Sequence, residues 1–151
     1  MNDAMPGPCS IVTVTRRATA VVKAQAPLAD VPQAQRRLRA TLAAALPKLD
    51  VGVIGESCTL WHAPVQGVLD MEAGVLVARG FEPEGEVVPS MLPAGRAAHY
   101  VLRGPFDELP TAWKTLFDWC AEHQLDLAGV NWEIYGDNPA ELQTALYALL
   151  K

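Results

Sequence analysis

Residues 92–120, LPAGRAAHYVLRGPFDELPTAWKTLFDWC, contain a strand pattern followed by a helix pattern, and together they decide the fold. The apolar run at 96–103 predicts a strand, and the Gly-Pro pair that follows it predicts a turn. From about 107 to 123 the apolar residues recur at helical spacing. Five of them share one face: Leu109, Trp113, Leu116, Phe117 and Cys120. A stripe of this width is typical of a helix that packs on a sheet.

The flanking sequence repeats this order of elements. Two further strands are predicted after the helix, at 130–135 and 144–150, with a turn at Asp137-Asn138-Pro139 between them. The first half of the chain predicts one extended region or two short strands at 11–26 and a helix at about 32–47. A strand or strand pair is predicted at 51–64, and a strand that could bend at Gly74 is predicted at 68–81. An acidic loop with short extended pieces is expected at 82–90.

The repeated order predicts an internally duplicated chain, with pseudo-repeats at about 10–80 and 92–151. We expect a flexible N-terminus at 1–9 and a single domain at 10–151. The predicted fold class is α+β, in which duplicated βαββ halves form an antiparallel sheet with two helices packed on one face. The opposite face would then be free to form a ligand groove.

Composition excludes several classes of protein. The 151 residues, 50% of them hydrophobic, match one globular domain. A net charge of −5, with basic residues scattered apart from Arg36, Arg37 and Arg39, argues against direct nucleic-acid binding. The N-terminal residues lack a secretory signal pattern, and no apolar run approaches the ~20 residues of a membrane span. We therefore expect a cytoplasmic protein with no membrane partner.

The sequence also lacks the common patterns of metal-binding and cofactor-binding residues. Three separated cysteines, Cys9, Cys58 and Cys120, match no metal or redox spacing and are predicted to be reduced, mostly buried thiols. The histidines likewise lack metal-ligand spacing, and no phosphate loop or nucleophile elbow is present. We predict no metal and no cofactor.

Glu133 is the candidate around which a binding site could form. Strand alternation in NWEIY directs Glu133 and Tyr135 to one face, and Trp132 to the other, where it would pack beneath a helix. A buried carboxylate without a cationic neighbour has a raised pKa, which suits a general acid or base or a receptor for cations. The alternative is an ordinary surface glutamate on an exposed sheet face.

Other side chains could line the same site. Tyr135 could bond the carboxylate or a ligand, and Trp61, at a strand end, could form a wall. Asp70 and Glu72 alternate on one strand face and either join Glu133 or lie on a solvated edge. Phe106 could cap the groove or anchor the turn. Trp113 and Trp119 are explained as core residues of the second helix.

The run 92–120, followed by WEIYGDNP at 132–139, resembles the GyrI-like (gyrase-inhibitor-like) small-molecule-binding domain. That family also forms the effector-binding half of multidrug-responsive regulators of the MerR and AraC classes. The resemblance implies a duplicated βαββ fold, called SHS2-like, with a hydrophobic cleft. It also implies an acidic residue at the floor of the cleft, which corresponds to Glu133, with Tyr135 beside it.

Three functions follow as hypotheses. The first is a stand-alone module that binds a hydrophobic, often cationic small molecule, with Glu133, Tyr135, Trp61, Glu72 and Phe106 as ligand-binding residues. The second is a hydrolase that opens strained cyclopropane rings of alkylating natural products, with Glu133 and Tyr135 as catalytic residues. The third is a topoisomerase-binding inhibitor. A partner protein or a homodimer is compatible with each of them.

Overall fold

The structure, a computed structural model, describes residues 9–52, 54–136 and 142–151. Most of the predicted flexible N-terminus and the predicted turn at 137–139 lie outside these residues. In chain order the elements are β1 (Cys9–Val14), β2 (Arg17–Pro27), α1 (Val31–Ala45), β3 (Ile54–His62), β4 (Val68–Val77), β5 (Val87–Leu92), β6 (Gly95–Arg103), α2 (Leu109–Glu122), β7 (Leu127–Tyr135) and β8 (Gln143–Leu150).

The strands form one antiparallel sheet in the order β1-β6-β8-β7-β3-β4-β2-β5. Two βαββ units, β2-α1-β3-β4 and β6-α2-β7-β8, meet where β3 pairs with β7. The strand before each unit pairs with the other unit, β1 with β6 and β5 with β2. The predicted α+β fold class is therefore confirmed.

Short links between distant strands force this sheet to curl. β1 and β2 lie six strand spacings apart in the sheet, which would be roughly 29 Å if the sheet were flat. Only Thr15 and Arg16 connect them, and the three virtual bonds from Val14 to Arg17 reach at most about 11 Å. The two ends of the sheet must therefore approach each other, and the link from β5 to β6 is equally short.

Both helices cover the same face of the sheet. Helix α1 buries Ala34, Leu38 and Leu42 against β2 and β4. Helix α2 buries the stripe that contains Leu116 and Cys120 against β6 and β8. One core cluster therefore lies on each side of the paired strands β3 and β7, which carry the candidate site.

The other face has a core without a helix. Its cluster contains Cys58, Leu60, Leu76, Leu92, Ala97, Trp132 and Ile134, all from strands. Trp132 faces away from Glu133, as predicted, and stacks on Tyr147 with ring centroids 5.3 Å apart. Its predicted packing beneath a helix is wrong. The curl of the sheet explains this, because opposing strands fill the concave side with their own side chains.

The segment at 82–90 also differs from the prediction. Residues 87–92 form a complete edge strand that pairs with β2, where a loop with short extended pieces was expected. The proline at 89 hid the pattern, although an edge strand tolerates proline because one side of its backbone has no partner strand. The three cysteines are buried and unpaired, as the sequence suggested.

No helix in the described ranges has the length and apolar character that crossing a membrane would require.

Thr144 gives a test of the packing in β8. Its hydroxyl is fully buried and has no hydrogen-bond partner among the residues that the structure describes. Replacing it with isosteric valine removes an unsatisfied polar group, so we expect Thr144→Val to raise the free energy of unfolding by about 1 kcal/mol. Urea denaturation would register this as a higher midpoint with an unchanged slope. A lower midpoint would mean that the hydroxyl is bonded.

Candidate functional site

The carboxylate of Glu133 is buried between the sheet and the helices. Only 6% of the residue is exposed, and each carboxylate oxygen accepts a short hydrogen bond. The Tyr135 hydroxyl donates to Oε1 at 2.6 Å, and Nε1 of Trp113 donates to Oε2 at 2.6 Å. These donors offset part of the cost of removing the charge from water.

Burial raises the pKa of Glu133 above its ordinary value of 4.5, because desolvation disfavours the charged form. The hydrogen bonds from Tyr135 and Trp113, and the positive charge of Arg39, act in the opposite direction without cancelling the increase. Burial and the charge of Glu133 also raise the pKa of Tyr135, so its phenol stays protonated and available as a donor.

A second polar group lies directly across the seam between the two units. Thr59 on β3 pairs in register with Glu133, and its hydroxyl lies 2.8 Å from the Tyr135 hydroxyl. Nη2 of Arg39 and Nε2 of Gln35, both on α1, donate to the Thr59 hydroxyl at 2.8 Å and 3.0 Å. The Glu133 carboxylate is thus linked to α1 as well as to α2.

Backbone carbonyls hold the Arg39 guanidinium in place. It donates to the carbonyl oxygens of Cys58 and Gly74, each at 2.7 Å, and lies 5.5 Å above the Tyr135 ring centroid. A Cβ atom at Gly74 would lie 2.1 Å from the Ala20 carbonyl oxygen. Glycine is therefore required at this position by the close approach of β2.

Further aromatic rings pack against the two residues that donate to the carboxylate. Trp61 contacts Trp113 edge to face, with centroids 4.9 Å apart, and Phe117 stacks on the other side of Trp113 at 5.3 Å. Phe106 contacts the Tyr135 ring edge to face at 5.6 Å and is 53% exposed. Phe106 therefore lies at the solvent edge of the cluster, and Trp113 lies inside it.

Four of the predicted site residues lie together: Glu133, Tyr135, Trp61 and Phe106. Glu72 does not lie with them. Its neighbours Met71 and Ala73 pack under α1, so Glu72 and Asp70 point to the helix-free face, where Ser90 donates to Glu72 at 2.6 Å. Strand alternation indicated that Asp70 and Glu72 share one face of β4. It could not indicate which face of β7 lies on the same side of the sheet.

The site also lies on the helix-covered face, whereas a groove on the opposite face was expected. The helix-free side does have an open depression of about 420 Å³, lined by Lys23, Ala24, Gln25, His62, Asp70, Met71 and Glu72. Most of its charged side chains are exposed to water. It therefore lacks the buried charge that distinguishes the site at Glu133. No cluster of three metal-ligating side chains exists in the described part of the chain.

Comparison with known proteins places this arrangement in a family. The model of the GyrI-like small-molecule-binding domain matches residues 7–151. The chain belongs to this family. No curated protein matches it in sequence.

Solved structures have the same fold at low identity. The C-terminal domain of EcmrR aligns with a TM-score of 0.76 and 17% identity, over 95% of this chain and 96% of that domain. This GyrI-like chain spans 57% of the longer EcmrR chain in its complex with DNA, with a TM-score of 0.78 and 16% identity.

Two further structures are similar over most of their length. SAV2435, described as bound to tetraphenylphosphonium, aligns with a TM-score of 0.70 and 11% identity, over 95% of this chain and 93% of that chain. A protein from Listeria innocua, described as a hydrolase, aligns with a TM-score of 0.59 and 14% identity, over 95% and 91%. At these identities the likeness shows the fold alone.

Sequence reasoning missed four contributors to this GyrI-like site: Gln35, Arg39, Thr59 and the indole N–H of Trp113. Arg39 lay on a predicted polar helix face with two other arginines, and Thr59 is a common strand residue. Trp113 gave a usable signal, because a tryptophan on a buried helix stripe needs an acceptor for its N–H group. The acceptor itself could not be named before β7 was placed beside α2.

Trp113→Phe tests this hydrogen bond. It removes the donor but keeps an aromatic ring beside Trp61, so we expect a loss of about 1.5–3 kcal/mol in the free energy of unfolding at pH 7. Since the pKa of Glu133 is raised, the loss should shrink when the pH falls below that pKa and the carboxyl group becomes neutral. Chemical denaturation at several pH values measures both effects.

Trp119→Phe is the matched control on the same helix, because Trp119 packs against His123 and is half-buried. It should cost less than about 1 kcal/mol at every pH. Equal and pH-independent losses in the two variants would contradict a role of Trp113 in holding the carboxylate.

Proposed function

We propose that this GyrI-like domain binds a hydrophobic, cationic small molecule whose positive charge lies beside Glu133. The observation that carries the proposal is a buried carboxylate hydrogen-bonded to Trp113 and Tyr135, whose rings in turn contact Trp61 and Phe106. Tryptophan and tyrosine faces attract cations, and a carboxylate outside bulk water attracts them more strongly than an exposed one.

The charge of Glu133 is available to such a ligand. Arg39 directs its hydrogen bonds to Thr59 and to two backbone carbonyls, and it is linked to Glu133 through Thr59 and Tyr135. In the described ranges no ion pair involves Glu133. A ligand cation can therefore supply the direct counter-charge that the site lacks.

Access is expected from the side of Phe106. Its ring is more than half exposed and contacts Tyr135, which in turn contacts the carboxylate. A ligand that displaces the Phe106 ring would meet the Tyr135 ring next and Glu133 behind it. The bound tetraphenylphosphonium in the structurally similar SAV2435 supports this chemical class and supplies a probe.

Titration with tetraphenylphosphonium tests the proposal. Glu133→Gln keeps the shape of the side chain and removes its charge, so we expect the affinity to fall about tenfold or more. Calorimetry or tryptophan fluorescence quenching measures the dissociation constants. Glu72→Gln is the matched control on the opposite face, and it should leave the affinity unchanged.

Tetraphenylborate has nearly the same shape with the opposite charge and should bind this chain much more weakly. Equal binding of both ions, or equal effects of the two glutamate variants, would contradict a cation site at Glu133.

The affinity for tetraphenylphosphonium should also depend on pH. The ligand carries a permanent charge, so any titration belongs to the protein. Because burial raises the pKa of Glu133, binding should weaken on acidification with a midpoint above 4.5. The same experiment with Glu133→Gln should give affinities that do not change over this range. A wild-type midpoint at or below 4.5 would argue that another group controls binding.

A hydrolase is the second candidate function, and the contact between Tyr135 and Glu133 favours it. A carboxylate of raised pKa can take a proton from water, and the phenol 2.6 Å away can donate a hydrogen bond to a developing negative charge. The hydrolase described from Listeria innocua supports considering this chemistry. The substrate would be a strained cyclopropane of an alkylating natural product.

Turnover separates the two candidates. A cyclopropane-bearing alkylator incubated with the wild type should yield a hydrated product if the site is catalytic, and mass spectrometry detects the addition of water. Glu133→Gln should abolish the product and Tyr135→Phe should slow its formation by about 10²-fold or more. Saturable binding without any product would leave the binding function alone.

A further inference from the structure

The Thr59 hydroxyl has a fixed hydrogen-bond direction, which follows from its three partners. Nη2 of Arg39 and Nε2 of Gln35 are both donors, and each contacts Oγ1 of Thr59. A hydroxyl group has two lone pairs and one hydrogen atom. Since Arg39 and Gln35 use both lone pairs, the hydrogen must point to the remaining partner, the Tyr135 hydroxyl at 2.8 Å.

The direction of the next bond follows in turn. The phenol oxygen of Tyr135 accepts from Thr59, and its own hydrogen points to Oε1 of Glu133 at 2.6 Å. Every hydrogen bond therefore runs the same way, from the guanidinium of Arg39 through two hydroxyl groups to the carboxylate. A chain of aligned donors strengthens each of its bonds.

This direction opposes protonation of the carboxyl group. A protonated Glu133 would need an acceptor, and the phenol could become one only by turning its own hydrogen to Thr59, whose lone pairs are both used. The indole N–H that contacts Oε2 can only donate. Without the Thr59 hydroxyl, the phenol hydrogen could turn away from the carboxyl group and the phenol oxygen could accept a hydrogen bond from the acid, which would stabilise the neutral form.

We propose that Thr59 is a positioning residue that fixes Tyr135 as a donor and thereby keeps Glu133 a carboxylate. Arg39 and Gln35 set the direction of the Thr59 hydroxyl, and the Cys58 and Gly74 carbonyls anchor Arg39. The inference deepens the proposed function, since a carboxylate binds a cation and a carboxylic acid does not. The direction of these hydrogen bonds does not depend on a bound ligand.

Groups on four elements enter the test: α1, α2, β3 and the strand β7 that carries Glu133. Arg39 on α1 and Tyr135 on β7 are the charged or titratable groups that act on Glu133 in the described parts of the chain, and Trp113 on α2 and Thr59 on β3 complete its surroundings. Arg39 is left unchanged in the test, because removing its charge would alter the pKa of Glu133 directly.

Carbon-13 NMR of glutamate-labelled full-length protein measures the pKa of Glu133 without a ligand, with Glu133→Gln to assign the signal. We expect Thr59→Val to raise the pKa by about one pH unit, equivalent to a tenfold change in the proton equilibrium. Thr59→Ser restores the hydroxyl and should return the pKa close to that of the wild type. Thr144→Val makes the same change beside Tyr135, outside the chain of donors, and should have no effect.

Gln35→Leu keeps the inference testable if Thr59→Val does not fold. It frees one lone pair of Thr59, so the hydroxyl can turn away from Tyr135, and a smaller increase in the pKa is expected. Gln33→Leu, at an exposed position of the same helix, is its control. An unchanged pKa of Glu133 in both Thr59→Val and Gln35→Leu would overturn the inference, as would an unchanged pKa in Gln35→Leu alone if only that variant folds.

Tetraphenylphosphonium titrations then connect the pKa to binding. Below the pKa values of both wild type and Thr59→Val the variant should bind up to about tenfold more weakly, between them the difference should be smaller, and well above both values the affinities should converge. If the wild type does not bind this ion at any pH, the proposed function fails while the NMR titration still decides the role of Thr59. A constant ratio of affinities at all pH values would mean that Thr59 acts only through shape.

Discussion

The charge of Glu133 lies at the seam between the two βαββ units, and a carboxylate there persists only if donors surround it. Tyr135 comes from the same strand, Trp113 from α2, and Thr59 from the neighbouring strand of the other unit. Arg39 on α1 completes the chain. No single unit contains this set. The site therefore exists only when both units are folded and paired, so the stability of the seam and the chemistry of the site depend on the same contacts.

The topology keeps that seam in place. Each unit receives its outermost strand from the chain segment that precedes the other unit, and two-residue links close both crossings. The resulting curl fills the helix-free face with strand side chains such as Trp132 and Tyr147. A binding site on that face would have to compete with this core. The helix-covered face instead has two separate core clusters, and the hydrogen-bonded groups around Glu133 lie between them.

The sequence pattern was informative where side chains repeat at the period of a helix or of a strand. The helical stripe from Leu109 to Cys120 and the alternation that puts Glu133 opposite Trp132 were both predictable, because each depends on backbone geometry within one element. The resemblance to the GyrI-like domain added the duplicated fold and the acidic residue. Pattern failed at Glu72, where alternation was read correctly within β4 but its face could not be matched to that of β7. It also failed at β5, where a proline interrupted a short edge strand.

The sequence by itself determined the fold class, the duplication, and the pairing of an acidic residue with a tyrosine two positions later. It also singled out Trp61 as a candidate wall and Phe106 as a candidate cap or turn anchor. Only the tertiary structure decided which face the helices cover, that Trp113 donates to the carboxylate, and that Arg39 and Thr59 join the same chain of hydrogen bonds. The reason is physical: periodicity fixes how residues within one element face each other, whereas contacts between elements depend on the strand order and curl imposed by links far away in the sequence.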